Sequence, residues 1–319
     1  MKLLHYFRNL KAPVAAEIPT IDAIIDDHKV QLRQAKAADA PIATAMFQRA
    51  FVEERAVRLS DDISPDLAAN VEQAQDYSNS TVILVDDQIV GFSYFMIAGN
   101  DMRRAREMLI KYIYIVPEHR SIHLIKLAMD QLEGVARNTG CARLYWGFDT
   151  GKDLKRKRSL ARFLGFKHID DTLFLSLKDQ QQSNDAQSDL QSLSRRTYTA
   201  YRRVYDGLFF EFLILSILSF FVFRSKAKSG MKFFETRQNG YLFAFLSKNF
   251  EENLIFCHVN HCYRPTKDNV DDLIQWGLGN NCKYILVDTQ PVAPLDTESK
   301  NDLIESGFEV LGANFYKII

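Results

Sequence analysis

The second half of the chain answers the first, segment by segment and in the same order. DQIVGFSYFMI around Gly91 is matched by RQNGYLFAFLS around Gly240, and YIYIVPEHR by IFCHVNHCYR. TGCARLYWGFD is then matched by NNCKYILVDTQ, and SLARFLGFKHIDDTLFLSL by NDLIESGFEVLGANFYKII. Ordered self-similarity of this kind means that one supersecondary plan has been laid down twice. With 319 residues there is enough chain for two proper cores, so the repeat predicts two similar units.

The local patterns say what each unit contains. VQLRQAKAAD reads as a strand, and Asp39 followed by Pro41 starts a helix over 41–58 with Ile42, Met46, Ala50 and Phe51 on one face. Ser64-Pro65 opens a second helix. STVILVDDQ and IVGFSYFMIAG are strands around an Asp86-Asp87 turn. YIYIVPEHR is a strand feeding a helix that runs to Asn138, and CARLYWGFD is a further strand. KDLKRKRSLARFLG is a helix ended by Gly165, and FKHIDDTLFLSL is a closing strand or hairpin. The expected fold class is α/β (α+β), with two mixed-sheet domains in tandem, the second abbreviated. The expected divisions are an irregular or partly helical lead-in over 1–29, a first domain over 30–178, a linker over 179–194 and a second domain over 195–319. KDQQQSNDAQSDLQSLS, which contains the linker, holds too few apolar side chains to form a core.

Charge and cysteine usage exclude some classes. Lysine plus arginine and aspartate plus glutamate each total 40, so no global field draws the chain to nucleic acid. Four scattered cysteines do not make a disulfide framework. MKLLHYFRNLK interrupts its apolar run with His5, Arg8 and Lys11, unlike a secretory signal. The expected location is therefore the cytoplasm. GLFFEFLILSILSFFVFRSKAK complicates this, because Leu208–Phe223 is almost unbroken apolar sequence. A membrane span needs about 20 apolar residues; this run is shorter and carries Glu211. It reads as a buried helix between the domains, with peripheral membrane contact or docking of a protein partner as the alternatives.

The element order, together with Val116-Pro117-Glu118-His119-Arg120 opening a helix, resembles the GNAT N-acetyltransferase superfamily. Val30–Leu177 resembles one complete domain of that family, and 195–319 a second, shortened copy. The family's turn motif is arginine or glutamine, two residues, glycine, one residue, then glycine or alanine. It maps onto Arg120, Ser121, Ile122, His123, Leu124 and Ile125, preceded by Ile115 and Val116. The resemblance implies that this turn binds acetyl-CoA or another acyl-CoA through backbone N–H groups at a helix N-terminus. Both glycine positions depart from the pattern, with His123 and Ile125 in their place. The family's tyrosine four residues before the closing Gly-Phe is also absent, replaced by Ala161 before Gly165-Phe166 and by Leu303 before Gly307-Phe308. A general base is sought among Tyr114, Glu118 and His119, with Tyr112 nearby.

The implied function is transfer of an acyl group from acyl-CoA to an amine-bearing small molecule or protein acceptor, by a chain able to form a homo-oligomer. The alternative is an inactive GNAT-fold binding or structural module acting through 208–223. A third reading is a Fem-like aminoacyl transferase, disfavoured by the neutral charge. After its matching strand, the second copy has CYRPTKDNVDDL, in which Asp268, Asp271 and Asp272 repel an anionic cofactor.

CHVNHC invites a zinc reading. Strand alternation sets Cys257 and His261 on one face and His258 and Cys262 on the other, so the four do not converge and no metal site is expected. The basic run Lys152, Lys155, Arg156, Lys157 and Arg158 reads as a solvated helix face, or as a contact for an anion such as the 3′-phosphate of coenzyme A.

Overall fold

The computed structural model describes residues 16–54, 79–100, 105–148, 153–178, 180, 231–235, 241–249, 254–288 and 295–319. The helix expected after Ser64, the linker over 179–194 apart from Gln180, and the Leu208–Phe223 run lie outside the described residues. Along the first copy the elements are β1 (Ile21–Ile25), β2 (His28–Gln34), α1 (Ala40–Glu54), β3 (Ser80–Val85), β4 (Gln88–Asn100) and β5 (Ala105–Ile115). They continue with α2 (Ile122–Asn138), β6 (Cys141–Phe148), α3 (Leu154–Phe163) and β7 (Lys167–Ser176). The second copy supplies β8 (Met231–Glu235), β9 (Tyr241–Asn249), β10 (Leu254–Tyr263), α4 (Lys267–Gly279), β11 (Tyr284–Val287), α5 (Thr297–Glu305) and β12 (Glu309–Ile318). From β8 to β12 the order of strands and helices is the same as from β3 to β7.

Two expectations are corrected here. The stretch read as an irregular or partly helical lead-in contains β1, which pairs with β2 through Asp26 and Asp27, both at positive φ. In α1 the inward side chains are Ala40, Ala43 and Met46, while Ile42 is 46% exposed. Asp39 closes a short 3-10 turn, Ala37–Asp39, directly before the helix.

The chain divides into two compact units, but not by a single cut at 178. Among the described residues, the first comprises everything up to His168 together with Asn314–Ile319, and the second runs from Ile169 to Ala313. Each copy's closing strand is thus divided between the two units. In the first unit β1 to β6 lie side by side in sequence order, and the end of β12 lies next to β6, with Ile319 N–H donating to Ala142 O at 3.1 Å. Phe315 is fully buried with its ring 5.3 Å from His168. The Lys317 ammonium donates to the Glu133 carboxylate and to Leu164 O. In the second unit the order is β7, β11, β10, β9, β8. There Leu173, Leu175 and Leu177 pack in one core with Leu242, Cys257, Val259, Leu273 and Ile285. Lys300 Nζ meets Asp171 at 2.5 Å, and Leu295 N–H donates to Asp170.

Helix ends follow the residues that cap them. Ser121 Oγ accepts from Leu124 N–H, and Thr139 Oγ1 donates to Val135 O at the far end of α2. Gly165 and Gly307 hold φ of +85 and +94 just past α3 and α5, the left-handed conformation that glycine adopts without strain. All of β3 is buried, so both its faces are covered.

Three outcomes are expected. Residues 1–178 expressed alone lack the tail of β12, and should aggregate or unfold without cooperativity. Co-expression with 179–319 should restore a cooperative urea transition. At Gly91 an added Cβ would sit 2.7 Å from Tyr114 O, a backbone atom. Gly91→Ala should therefore cost about 1–3 kcal/mol in a denaturant melt. The third concerns Asp39, which Arg33 grips at 2.7 and 3.0 Å while Lys36 N–H adds a bond at 2.8 Å. The Arg33 guanidinium holds this carboxyl below its ordinary range. A depressed folded value means that the stabilisation is full above the unfolded value and is lost as pH falls through the folded one. Asp39→Asn should lose about 1–3 kcal/mol near neutral pH, and its deficit should shrink below about pH 4.

Candidate functional site

β5 has two neighbours that accompany it for different lengths. Against β4 it is paired antiparallel as far as Gly91 opposite Ile115. Against β6 it is paired in parallel only over Arg106–Ile110, ending with Ile110 opposite Trp146. Among the described residues, the ladder between β5 and β6 therefore stops five residues short of the end of β5 at Ile115. The divergence coincides with a bulge: Tyr112 faces Tyr94 and Ile110 faces Phe95, leaving Lys111 as the extra residue.

The end of β5 leads straight into a turn. Pro117–His119 form one 3-10 turn and Ser121 caps α2. Leu124 N–H goes to Ser121 Oγ and Ile125 N–H to Ser121 O. The N–H groups of Ile122 and His123 precede these, and as first-turn donors they have no carbonyl within the helix to reach. Two donors and the positive end of a 17-residue helix thus stand at the mouth of the parted strands. Arg120 folds back over this corner, its Nε donating to Ile115 O at 2.7 Å and its guanidinium lying 5.3 Å from the Tyr114 ring centroid.

The residues singled out from sequence all lie on this one corner. Ile115, Leu124 and Tyr114 are buried; Val116 and Ile125 are half-buried and pack against the core of Val30, Leu32, Ile83 and Val85. The bulk at Ile125, unexpected for the turn motif, is accounted for by that packing. Ile122 and His123 are exposed beside half-buried Ser121. Of the base candidates, Tyr114 is 3% exposed, its ring 6.4 Å from Phe92. Glu118 is exposed and bonded to Arg49 of α1 at 2.8 Å, an arrangement that lowers its pKa and weakens it as a base. His119 is exposed on the same turn.

A second polar cluster was not picked out from sequence. Glu107 of β5 is 7% exposed and accepts from Tyr145 OH at 3.2 Å on β6, while Arg143 Nη1 donates to that hydroxyl at 3.4 Å. Burial and the Glu107 carboxylate push the tyrosine's pKa well up, so the hydroxyl remains a proton donor. The available signal was a single carboxylate within the apolar strand REMLIKYIYI; its partners are 36 and 38 positions away.

The corresponding corner of the second unit is tied by different side chains. β10 pairs β11 over Cys257–Val259, and Arg264 at φ +43 leads to Thr266, which caps α4 in a reciprocal box with Asn269. Arg264 N–H donates at 2.8 Å to Ser299 Oγ, and that fully buried hydroxyl donates in turn to Asp296. The face assignment at CHVNHC is also corrected. A register shift between Val259 and His261 reverses the alternation, so Cys257 and Cys262 share one buried core with Val259, and burial raises the pKa of both thiols.

Residues 42–166 match the model of the acetyltransferase (GNAT) family. No curated protein sequence matches this chain. Among solved structures, it is similar to a GNAT N-acetyltransferase from Sphaerobacter thermophilus at 12% identity and TM-score 0.53, over 93% of this chain and 97% of that one. It is also similar to a tandem GNAT protein from the clavulanic acid biosynthesis pathway, at 10% identity and TM-score 0.50, over 91% and 98%. At such identities the likeness is one of fold. Residues 42–166 thus match the GNAT family model, the fold resembles that of GNAT proteins, and a second region with a similar order of elements lies beyond the match.

Proposed function

We propose that the first unit binds acyl-CoA at the corner formed by Ile115–Ile125 and passes the acyl group to an amine. The observation that carries this reading is the parting of β5 from β6 directly below the N-terminus of α2. Pyrophosphate suits the Ile122 and His123 amides and the helix dipole, with the exposed His119 and His123 rings beside them. The pantetheine arm, itself built of amides, suits the part of β5 that lies beyond the end of its ladder with β6 at Ile110. Arg120 serves as a strut in this reading, since its Nε is committed to Ile115 O.

In the reaction the amine nitrogen attacks the thioester carbonyl carbon, the C–S bond breaks, and the amine's proton passes to a base while the thiolate gains one. Preorganised N–H donors stabilise the oxyanion that forms on the way. Glu118 is neutralised by Arg49 and Tyr114 is packed away, leaving His119 as the base candidate at the turn. Glu107, with the proton-donating Tyr145 beside it, joins the candidate set on the strands themselves. The second unit, whose corner is tied by Ser299, acts in this reading as a scaffold that supplies and receives closing strands.

Calorimetric titration with acetyl-CoA tests the proposal. Micromolar binding to the whole chain is expected. Arg120→Ala should weaken it by about tenfold, because freeing Ile115 O loosens the corner by roughly 1–1.5 kcal/mol. No binding at millimolar cofactor would sink the transferase reading and leave a fold retained for its shape.

A further inference from the structure

The repeat places α3 and α5 at equivalent positions, each ended by a glycine of positive φ, Gly165 and Gly307. Aligned on those glycines, the helices expose the same stripe. In α3 it is Lys155, Arg156, Ser159, Arg162 and Phe163; in α5 it is Thr297, Glu298, Asn301, Ile304 and Glu305. The spacing matches residue for residue, whereas the charge is opposite. The α3 stripe carries three cations and the whole helix has no carboxylate; the α5 stripe carries two carboxylates. Each also presents an apolar side chain to solvent, with Phe163 65% and Ile304 40% exposed. Val310, 37% exposed, and the exposed Glu309 extend the acidic surface beyond α5.

From this complementarity we infer that α3 of one copy docks on α5 of a second copy of this chain. Phe163 packs against Ile304 and Val310, while Arg156 and Arg162 face Glu298, Glu305 and Glu309. The contact is heterologous, because the two stripes are different surfaces of the same molecule. Net formal charge is zero, so copies approach without bulk repulsion. Glu298 already lies 3.9 Å from Arg264 in an exposed pair, which tempers its attraction and leaves Glu305 and Glu309 as the stronger anchors. Rim charges of this kind set register and on-rate more than affinity. The association is therefore expected to be moderate and to weaken as salt rises. This inference is independent of the acyl-transfer reading, since it uses no residue of the Ile115–Ile125 corner.

The test is sedimentation velocity on the full chain and on two double variants, Arg156→Glu with Arg162→Glu, and Glu298→Lys with Glu305→Lys. The wild type should associate in low salt and dissociate in high salt. Each variant alone should bind itself at least about tenfold more weakly, since both of its stripes then carry one sign. Mixing the two variants should restore association, because each supplies the stripe that the other now complements. All substitutions are on exposed positions, and a far-UV spectrum with an unchanged urea midpoint would show that the fold is kept. A wild type that stays monomeric at every concentration, variants that associate as the wild type does, or a mixture that stays apart would each overturn the inference. So would binding of α3 to anionic vesicles in place of self-association.

Discussion

The whole structure depends on a trade of closing strands. A sheet whose last strand is missing leaves a row of unpaired amides and an uncovered core face, and each unit here would be left that way by a cut at the linker. The first unit takes its last strand segment from the C-terminus of the chain, anchored by the Lys317 ammonium on Glu133 and Leu164 O. The second takes Ile169–Ser176, anchored by Asp170 and Asp171 on Leu295 and Lys300. The anchors are reciprocal in position and in kind. A repeat makes such a trade feasible, because equivalent strands carry similar apolar patterns and can fill one another's places.

Within that frame the two corresponding corners are tied differently. The difference lies in which group satisfies the donors. In the first unit Ser121 caps Leu124, and the first-turn amides of Ile122 and His123 follow a strand whose ladder with β6 has already ended. In the second, Ser299 on α5 accepts from Arg264 N–H, and Thr266 and Asn269 cap each other's amides at the start of α4.

The turn residues also show how a motif can be kept in position and changed in composition. Glycine in such a turn serves close approach by a ligand. His123 keeps its side chain outside, and Ile125 turns its own into the core beneath α2. The bulk at both positions is accommodated without moving the helix start, because Ser121 fixes that start independently.

The sequence by itself determined the mixed order of strands and helices, the Asp86-Asp87 turn and the Gly165 helix end. These follow from local rules: alternation, capping oxygens, and glycine where φ is positive. Tertiary structure alone decided which unit each closing strand completes, since sequence order holds no record of which of two similar edges a strand will meet. It decided the face of Cys262, because a bulge of one residue inverts every side chain after it. It also decided that Glu107, Tyr145 and Arg143 meet, and that α3 and α5 expose matching stripes of opposite charge. Partners separated by 36 positions or more are joined by pairing of strands, and pairing is a property of the sheet and not of the segment.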